Sequence, residues 1–319
     1  MKQIKNILAC IGLLAVTGSF VFAVQSTPPQ RVAPGETVGE TVNDKRVAET
    51  YQISAIEIPD NLIFAGEAVP MDDPEIMERV DREFLVNTYW QSNALLLIKR
   101  ANKFFPIIEP ILAKNGIPDD FKYLAVAESG LMNAVSPAGA TGFWQIMKET
   151  GKEFGLEVNA NVDERYHLEK STQAACDYLK KWHARFGNWT MTAAAYNAGP
   201  TGIRRFMDIQ KADDYYDLLL GEETGRYVFR ILAIKEILSH PEKYGYQLEN
   251  GDMYTKVPSF TVEVDSAVAS WADFAQLYEI NYKVLKRHNP WLREAHLNNA
   301  TGKKYVIEIP NKGYYRNSR

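Results

Sequence analysis

From Asp73 to about Tyr244 the sequence reads as a succession of helices, and this constrains the fold more than any other feature. Asp73 followed by Pro74 is typical of a helix N-cap with proline in the first helical turn. Gly116 and Pro118 mark the end of one helix, because neither residue continues a regular helix well. The pattern predicts a mainly α fold for this part of the chain.

Further helix signals follow along the chain. Ser171 is expected to cap a long amphipathic helix and Gly187 to end it. Helices are also predicted at Thr190–Asn197 and Glu222–Ser239. The face of the long helix that is predicted to lie in the core consists of Ala174, Ala175, Tyr178, Leu179, Trp182 and Phe186.

After Pro258 the pattern changes from helical to mixed. Two segments alternate apolar and polar residues as strands do, and two short helical stretches lie between them. We therefore expect a domain boundary near residues 245–258 and a small β-α-α-β module behind it. The expected elements of this module are Ser259–Val264, Ser270–Tyr278, Tyr282–Asn289 and Lys304–Ile309.

The N-terminus resembles an export signal. Lys2 and Lys5 precede an apolar stretch from Ile7 to Ala23, and this order predicts a signal peptide over residues 1–23. An uncleaved anchor is the alternative, and Cys10 gives the stretch a faint likeness to a lipoprotein box. Residues 24–72 are interpreted as a linker and N-terminal extension, because much of this segment is rich in Pro, Thr and Gly. We expect a periplasmic protein of the cell envelope, with membrane association left open.

Charge and cysteine content exclude several classes of protein. The formal net charge of -4 argues against a nucleic-acid partner held by bulk charge. Without the signal peptide Cys176 is the only cysteine left, so packing must hold the core without an intrachain disulfide. The histidines show no metal-ligand spacing, and no glycine-rich phosphate loop is present. We expect no metal and no cofactor.

One carboxylate lies on the apolar face of a predicted helix. Phe121, Leu124, Ala125 and Glu128 are spaced at i, i+3, i+4 and i+7, which places Glu128 on the side facing the core. Loss of solvation raises the pKa of a carboxyl group, and a raised pKa allows general-acid catalysis near neutral pH. The alternative is a glutamate at the helix end that faces water or pairs with Lys122.

A loop of small residues follows this carboxylate. Gly139 and Gly142 permit a tight backbone, so a bulky ligand could approach closely with Trp144 and Gln145 beside it. The alternative is an ordinary turn of small residues. From residue 129 to residue 148 the chain contains no Asp or Glu. Glu128 is therefore the one carboxylate between residues 128 and 148.

Four motifs follow one another along the chain: Glu128-Ser129, SPAGATG at 136–142 with Gln145, AYNAGP at 195–200 and EETGRYV at 222–228. Together they resemble the catalytic domain of soluble lytic transglycosylases, whose fold is shared with goose-type lysozymes. Within that family they are most like the membrane-bound D type, in which LysM modules follow the catalytic domain. The resemblance implies a catalytic domain at residues 73–250, a LysM-like module at 258–310 and a tail at 311–319.

The resemblance implies a reaction on peptidoglycan glycan strands. The bond cleaved is the β-1,4 bond between N-acetylmuramic acid and N-acetylglucosamine, and the product has a 1,6-anhydromuramic end. Glu128 would protonate the leaving oxygen and then accept the proton of the muramic C6 hydroxyl, with help from the substrate N-acetyl group. We expect the enzyme to act as a monomer. The resemblance implies substrate contacts from Ser136, Gln145, Tyr196, Asn197 and Tyr227.

Two rival functions remain open at this point. The first is a muramidase like goose-type lysozyme, which uses water and so needs a second carboxylate. Asp163 is the best available second acid, although we interpret it as a structural cap or turn residue. The second rival is a non-catalytic scaffold that binds glycan.

The role of the C-terminal module also remains open. Asn289-Pro290-Trp291-Leu292 and Ile309-Pro310 match the LysM pattern best. Asp265-Ser266 replaces the Gly-Asp-Thr turn that helps to line the sugar groove of that family. The module is therefore either a glycan-binding unit or an appendage that packs on the catalytic domain.

Overall fold

The computed structural model describes residues 53–315. The expected signal peptide at residues 1–23 lies outside this range, as do residues 24–52 of the expected linker. Within residues 53–315 no helix combines the length and the apolar character needed to cross a membrane.

Residues 53–315 are mainly α-helical, as the sequence predicted. The first part of this range is a small antiparallel hairpin of β1 (Ile63–Phe64) and β2 (Glu67–Ala68). The helices that follow are α1 (Pro74–Tyr89), α2 (Gln91–Lys114), α3 (Phe121–Ser129), α4 (Lys148–Glu153), α5 (Leu168–Phe186), α6 (Trp189–Ala198), α7 (Pro200–Gln210) and α8 (Glu222–Ser239).

Helix α1 starts at the cap that the sequence predicted. The Asp73 carboxylate accepts hydrogen bonds from the backbone N–H groups of Glu75 and Ile76, and Pro74 occupies the first turn. These bonds satisfy amide groups that have no partner within the helix.

The predicted cap of α5 is wrong. This helix begins at Leu168, and the Ser171 hydroxyl donates to the Leu168 carbonyl from within the first turn. A 3₁₀ turn at Glu164–Tyr166 leads the chain directly into the helix, and His167 takes the N-cap position. The predicted C-terminal end at Gly187 is confirmed, because this residue has a left-handed φ of 80°.

Helix α8 organises the helical part of the chain. It contacts α1, α3 and α6, and its inner face is apolar and almost fully buried. Because α3 and α8 pack together, side chains near the end of α3 meet those of the first turns of α8. This packing builds the site described below. The buried residues of α8 include Val228, Phe229, Ile231, Leu232 and Ile234.

The C-terminal part forms the expected β-α-α-β module. Its elements are β3 (Ser259–Val264), α9 (Trp271–Leu277), α10 (Tyr282–His288) and β4 (Tyr305–Pro310). The two strands are antiparallel, with Ser259 opposite Pro310 and Val264 opposite Tyr305. The module has a hydrophobic core of its own, which includes Val264, Trp271, Leu285, Trp291 and Ile307.

Candidate active site

Glu128 lies in the last turn of α3, close to Tyr196. Tyr196 in turn lines an open cavity, which we call the groove. Phe121, Leu124 and Ala125 of the same helix are fully buried, which confirms the predicted apolar face. Glu128 itself is only partly exposed. Gly130 ends the helix with a φ of 59°, a conformation that few other residues adopt easily. The chain therefore turns away immediately after placing the carboxylate.

The hydroxyl group of Tyr227 donates a hydrogen bond to Glu128 Oε1. Burial raises the pKa of Glu128 to about 7, and this is the largest effect. The hydrogen bond from Tyr227 lowers the pKa, nearby Glu223 raises it, and nearby Arg230 lowers it. At neutral pH the group therefore exists in both protonation states, as a general acid that later acts as a base requires.

The alternative partner for this carboxylate is excluded. Lys122 points to the other side of α3, where its ammonium group lies 2.7 Å from Glu109 and 2.6 Å from Asp119. Glu128 is therefore neither paired with Lys122 nor free in water.

The loop of small residues folds tightly beside Glu128. Ser136 N–H donates to the Ala140 carbonyl, and Ala140 N–H donates to Ser136 Oγ at 3.0 Å. The Ser136 oxygen is thus an acceptor within the loop, while its O–H proton remains able to reach a ligand. Gly142 has a φ of 83°, and a Cβ there would come within 2.1 Å of the Arg165 carbonyl oxygen. Only glycine fits this close approach.

Gln145 is held in an unusual backbone conformation with a φ of 45°. Its side-chain amide nitrogen donates to the carbonyls of Ala134, at 3.1 Å, and Gly142, at 2.8 Å. The side-chain oxygen is left as the group that can accept from a ligand. Such strained positions are found disproportionately at functional sites, where the surrounding contacts maintain them.

Trp144 does not lie beside the groove, so this part of the sequence interpretation is wrong. The indole is fully buried behind the loop, and its Nε1 donates to Thr172 Oγ1 at 2.8 Å. The large apolar ring joins the core, and only Gln145 of this pair reaches the groove surface.

The third motif links the loop to helix α8. The Tyr196 hydroxyl donates to the Trp144 carbonyl at 2.6 Å, and Asn197 Oδ1 accepts from the Thr224 hydroxyl at 2.9 Å. Asn197 therefore keeps its amide N–H groups for a ligand. The sequence interpretation missed Thr224. Its place in the fourth motif was a signal, but its partner depends on how the helices pack.

The groove has a volume of about 400 Å³, and Gln145, Tyr196 and Asn197 are among the residues that line it. The sequence interpretation assigned Tyr178 and Trp182 to the core face, but both also line this cavity. Trp182 Nε1 is buried without a hydrogen-bond partner among the described residues. The other lining residues include Met147, Thr150, Glu153, Phe154 and Pro200.

Asp163 has a structural role, as the sequence interpretation proposed. Its carboxylate accepts hydrogen bonds from Arg165 Nε at 2.9 Å and Nη2 at 2.7 Å, and from the Arg165 backbone N–H. Both carboxylate oxygens are therefore occupied. Within residues 53–315 no group of three or more His, Cys, Asp or Glu side chains is placed to hold a metal ion.

Two family models match this chain. Residues 105–219 match the transglycosylase SLT domain, and residues 260–313 match the soluble lytic transglycosylase C-terminal LysM-like domain.

Membrane-bound lytic murein transglycosylase D from Escherichia coli is 30% identical over 258 residues, which cover 78% of this chain and 55% of that protein. A putative tributyltin chloride resistance protein from an Alteromonas species is 27% identical over 124 residues, or 38% of this chain and 58% of that protein. The chain thus spans about half the length of these curated relatives.

One solved structure, an inactive mutant of the lytic transglycosylase Slt from Pseudomonas aeruginosa, is 25% identical. The match covers 47% of this chain and 26% of the Slt chain, with a TM-score of 0.37.

Proposed function

This chain is a member of the transglycosylases with an SLT domain and a LysM-like C-terminal domain, and from this we propose that it is a peptidoglycan lytic transglycosylase. Its substrate would be the glycan strand, cleaved at the β-1,4 bond between N-acetylmuramic acid and N-acetylglucosamine. The groove that Gln145 and Asn197 line would hold the sugars on one side of that bond.

One observation carries this proposal. A single carboxylate, Glu128, has a pKa of about 7, and Tyr227 holds only one of its two oxygens. The other oxygen is left for the substrate. Protonated Glu128 would donate its proton to the glycosidic oxygen as the bond to the anomeric carbon breaks.

The second step would use the same carboxylate. The substrate N-acetyl oxygen would stabilise the anomeric carbon, and Glu128 would then take the proton of the muramic C6 hydroxyl. That hydroxyl oxygen would form the new bond to the anomeric carbon, which closes the 1,6-anhydro ring without consuming water. Glu128 would end protonated, ready for another cycle.

The remaining site residues supply matched polar groups for the sugars. Ser136 offers a hydroxyl proton, Gln145 a carbonyl oxygen and Asn197 an amide N–H group. Tyr196 is bonded to the loop backbone, so its role would be to shape the site as much as to contact the sugar. Tyr227 would fix the orientation of Glu128.

The rival functions are less well supported. A hydrolase needs a second carboxylate to activate water, and the best candidate, Asp163, is fully engaged with Arg165. A non-catalytic scaffold has no need for a buried carboxyl group whose pKa is raised to about 7.

Digestion of purified peptidoglycan in oxygen-18 water tests the proposal. We expect unlabelled 1,6-anhydromuramic ends, each lighter than the hydrolysis product by the mass of one water. Glu128→Gln serves as the control, and its turnover should fall by about 10³-fold or more. Stoichiometric label at the new muramic end would instead establish hydrolysis.

We also propose that the protein acts in the cell envelope. The predicted signal peptide and the similarity to a membrane-bound transglycosylase support this location. Whether the mature protein is periplasmic or attached to a membrane depends on the fate of residues 1–23.

A further inference from the structure

The C-terminal module is attached to the proposed catalytic part, residues 73–250, through residues 157–167, which we call the bridging segment. On one side this segment contacts the module, residues 259–310. On its other side it contacts residues 133–147, which carry Ser136 and Gln145 and which we call the substrate loop.

The contact between the bridging segment and the module includes buried apolar and aromatic side chains. Val162 is fully buried and belongs to the hydrophobic core of the module. Its backbone forms a β-bridge with Leu292, and the N–H of Asp163 donates to the Trp291 carbonyl at 2.9 Å. The ring of His167 stacks on Trp291 with centroids 5.8 Å apart. Apolar packing, backbone hydrogen bonding and ring stacking therefore all join the module to the bridging segment.

Polar contacts complete the attachment. The Tyr305 hydroxyl lies 3.1 Å from both carboxylate oxygens of Glu157. The Lys303 ammonium group pairs with Glu157 and lies 3.7 Å from Glu164, which is itself buried. Hydrogen bonds from Lys303, from Asn159 and from Tyr305 hold the pKa of Glu157 below its ordinary value against the opposing effect of burial.

The same segment supports the substrate loop from behind. The Arg165 guanidinium, held by Asp163, donates through Nη1 to the carbonyls of Gly139 and Ile146, both at 3.1 Å. These carbonyls lie on either side of Gly142, whose backbone also packs against Arg165. One side chain therefore fixes the two arms of the loop that presents Ser136 and Gln145.

We propose that Asp163 and Arg165 are positioning residues for the substrate loop, and that docking of the C-terminal module on residues 157–167 holds them in place. The module would thus support turnover through the structure of the active site, whether or not it binds glycan. Its effect on turnover rests on the function proposed above, whereas its effect on the loop does not.

The substrate loop needs support from the bridging segment because the backbone of Gln145 is strained. A residue with a φ of 45° keeps that conformation only while its surroundings enforce it. Arg165 bonds to the neighbouring Ile146 carbonyl and so supplies part of that constraint. Loosening the bridging segment should let the loop relax and move Gln145 from its place in the groove.

Two adjacent lysines provide a matched pair of variants. Lys303 joins the module to the bridging segment, whereas Lys304 pairs with Glu263 inside the module at 3.2 Å and is largely exposed. Lys303→Gln combined with Tyr305→Phe removes contacts to Glu157 without changing the catalytic part. Lys304→Gln removes the same charge from the module without touching the bridging segment.

The first measurement is amide hydrogen exchange of residues 133–147 in the full chain. We expect faster exchange there in the Lys303→Gln, Tyr305→Phe double variant and no change in Lys304→Gln. Faster exchange confined to residues 157–167, or equal behaviour of the two proteins, would overturn the proposal. This measurement needs no substrate, so it remains decisive even if the chain does not cleave glycan.

The second measurement separates positioning from stability. For the double variant we expect kcat on purified peptidoglycan to fall about tenfold, since small misplacements of binding groups are costly. Its KM should change less, and far-UV circular dichroism should show a folded protein at the assay temperature. Arg165→Lys keeps the charge but loses the forked hydrogen bonds, and it should show the same loss of kcat. A normal kcat in both proteins would refute the positioning role.

Discussion

At the scale of the residue, Glu128 has neighbours that shift its pKa in opposite directions. Burial and the negative charge of Glu223 raise it, whereas Tyr227 and Arg230 lower it. The value of about 7 is therefore a balance, and single substitutions should move it either way. The free enzyme must hold Glu128 protonated to act as an acid, so kcat/KM should decline as the pH rises through this pKa.

Tyr227→Phe and Glu223→Gln should shift that decline in opposite directions. Removing the Tyr227 hydroxyl takes away a hydrogen bond that favours the carboxylate, so the pKa of Glu128 rises and the decline moves to higher pH. Removing the Glu223 charge lowers the pKa and moves the decline to lower pH. The check is kcat/KM between pH 5 and 9. Shifts in the same direction would contradict this account of the electrostatics.

Glu128→Gln should also change how stability depends on pH. The folded pKa, about 7, is above the ordinary value of 4.5, so the folded state holds the proton more tightly. The stability contributed by this proton is present below pH 4.5 and is lost as the pH rises through 7. The difference between the two pKa values corresponds to at most about 3 kcal/mol.

We therefore expect Glu128→Gln to unfold at higher urea concentration than the parent protein at pH 8, and at a similar concentration at pH 4.5. Urea titrations at the two pH values measure this. A stabilisation of the same size at both pH values would mean that burial of the ionised Glu128 carboxylate does not destabilise the folded protein.

Periodicity placed Glu128 on the core-facing side of one helix, because the apolar neighbours at i−3, i−4 and i−7 were visible. The resemblance to lytic transglycosylases was needed to single it out as the acid. The bond from Tyr227 was beyond that reasoning, since 99 positions separate the two residues and only the packing of α3 on α8 joins them. The buried position of Trp144 was not predictable either. A loop sequence does not reveal which side of the loop a large ring will occupy.

At the scale of the element, helix α8 was predicted from Glu222 to Ser239 as the structure has it, and Pro241 shortly after its end was a clear stop signal. Helices α4 and α7 were not identified. The first has only six residues, too few to display a period. The second has Ile203, Phe206 and Met207 at i, i+3 and i+4, all packed against the core. That spacing and Pro200 at the helix start were usable signals that the sequence interpretation did not take up.

A buried carboxylate on α1 attaches α8 to the rest of the fold. Glu83 is 1% exposed, and Arg226 Nε of α8 lies 2.6 Å from its Oε1. Glu83→Ala would leave Arg226 with only the exposed Glu222 as an ion-pair partner, at 3.5 Å, and we expect a loss of about 3 kcal/mol in the free energy of unfolding.

Glu75→Ala is the matched control on the same helix. Glu75 pairs with Arg79 at the surface, and its loss should cost less than about 1 kcal/mol. Chemical denaturation of both variants tests the difference. Equal losses would show that the Glu83 pair does not secure α8.

The cavity between α4, α5 and α6 makes a separate prediction for binding. Trp182→Phe keeps most of the aromatic surface but removes the unpartnered Nε1 donor. If a sugar accepts this hydrogen bond, KM for glycan strands should rise about two- to tenfold, with little change in kcat. Trp90→Phe, at an exposed tryptophan outside the cavity, is the control. An unchanged KM in Trp182→Phe would exclude this contact.

At the scale of the whole molecule, the sequence predicted a helical part and a β-α-α-β module, and the structure has both. The spacing of strands and helices within residues 259–310 was enough for that, because each element is local. The attachment of the module to residues 157–167 was not predictable. It depends on Val162, which sequence position assigns to the catalytic part.

Export can be tested on the complete chain. The predicted cleavage after Ala23 should give a mature protein that begins near Val24 in the periplasmic fraction. N-terminal sequencing or intact mass would identify it. Full-length protein in the membrane fraction would support an uncleaved anchor, and full-length protein in the cytosol would refute export.

The burial of Val162 in the core of the module has an evolutionary consequence. A recombination event that joined the catalytic part to a different C-terminal domain would leave this valine exposed, and a transplanted module would lack one of its own core residues. Substitutions at Val162 and Leu292 would be tolerated mainly in compensating pairs. Residues 157–310 are therefore expected to be inherited as one block, with viable crossover points outside it rather than in the linker that separates the two parts along the chain.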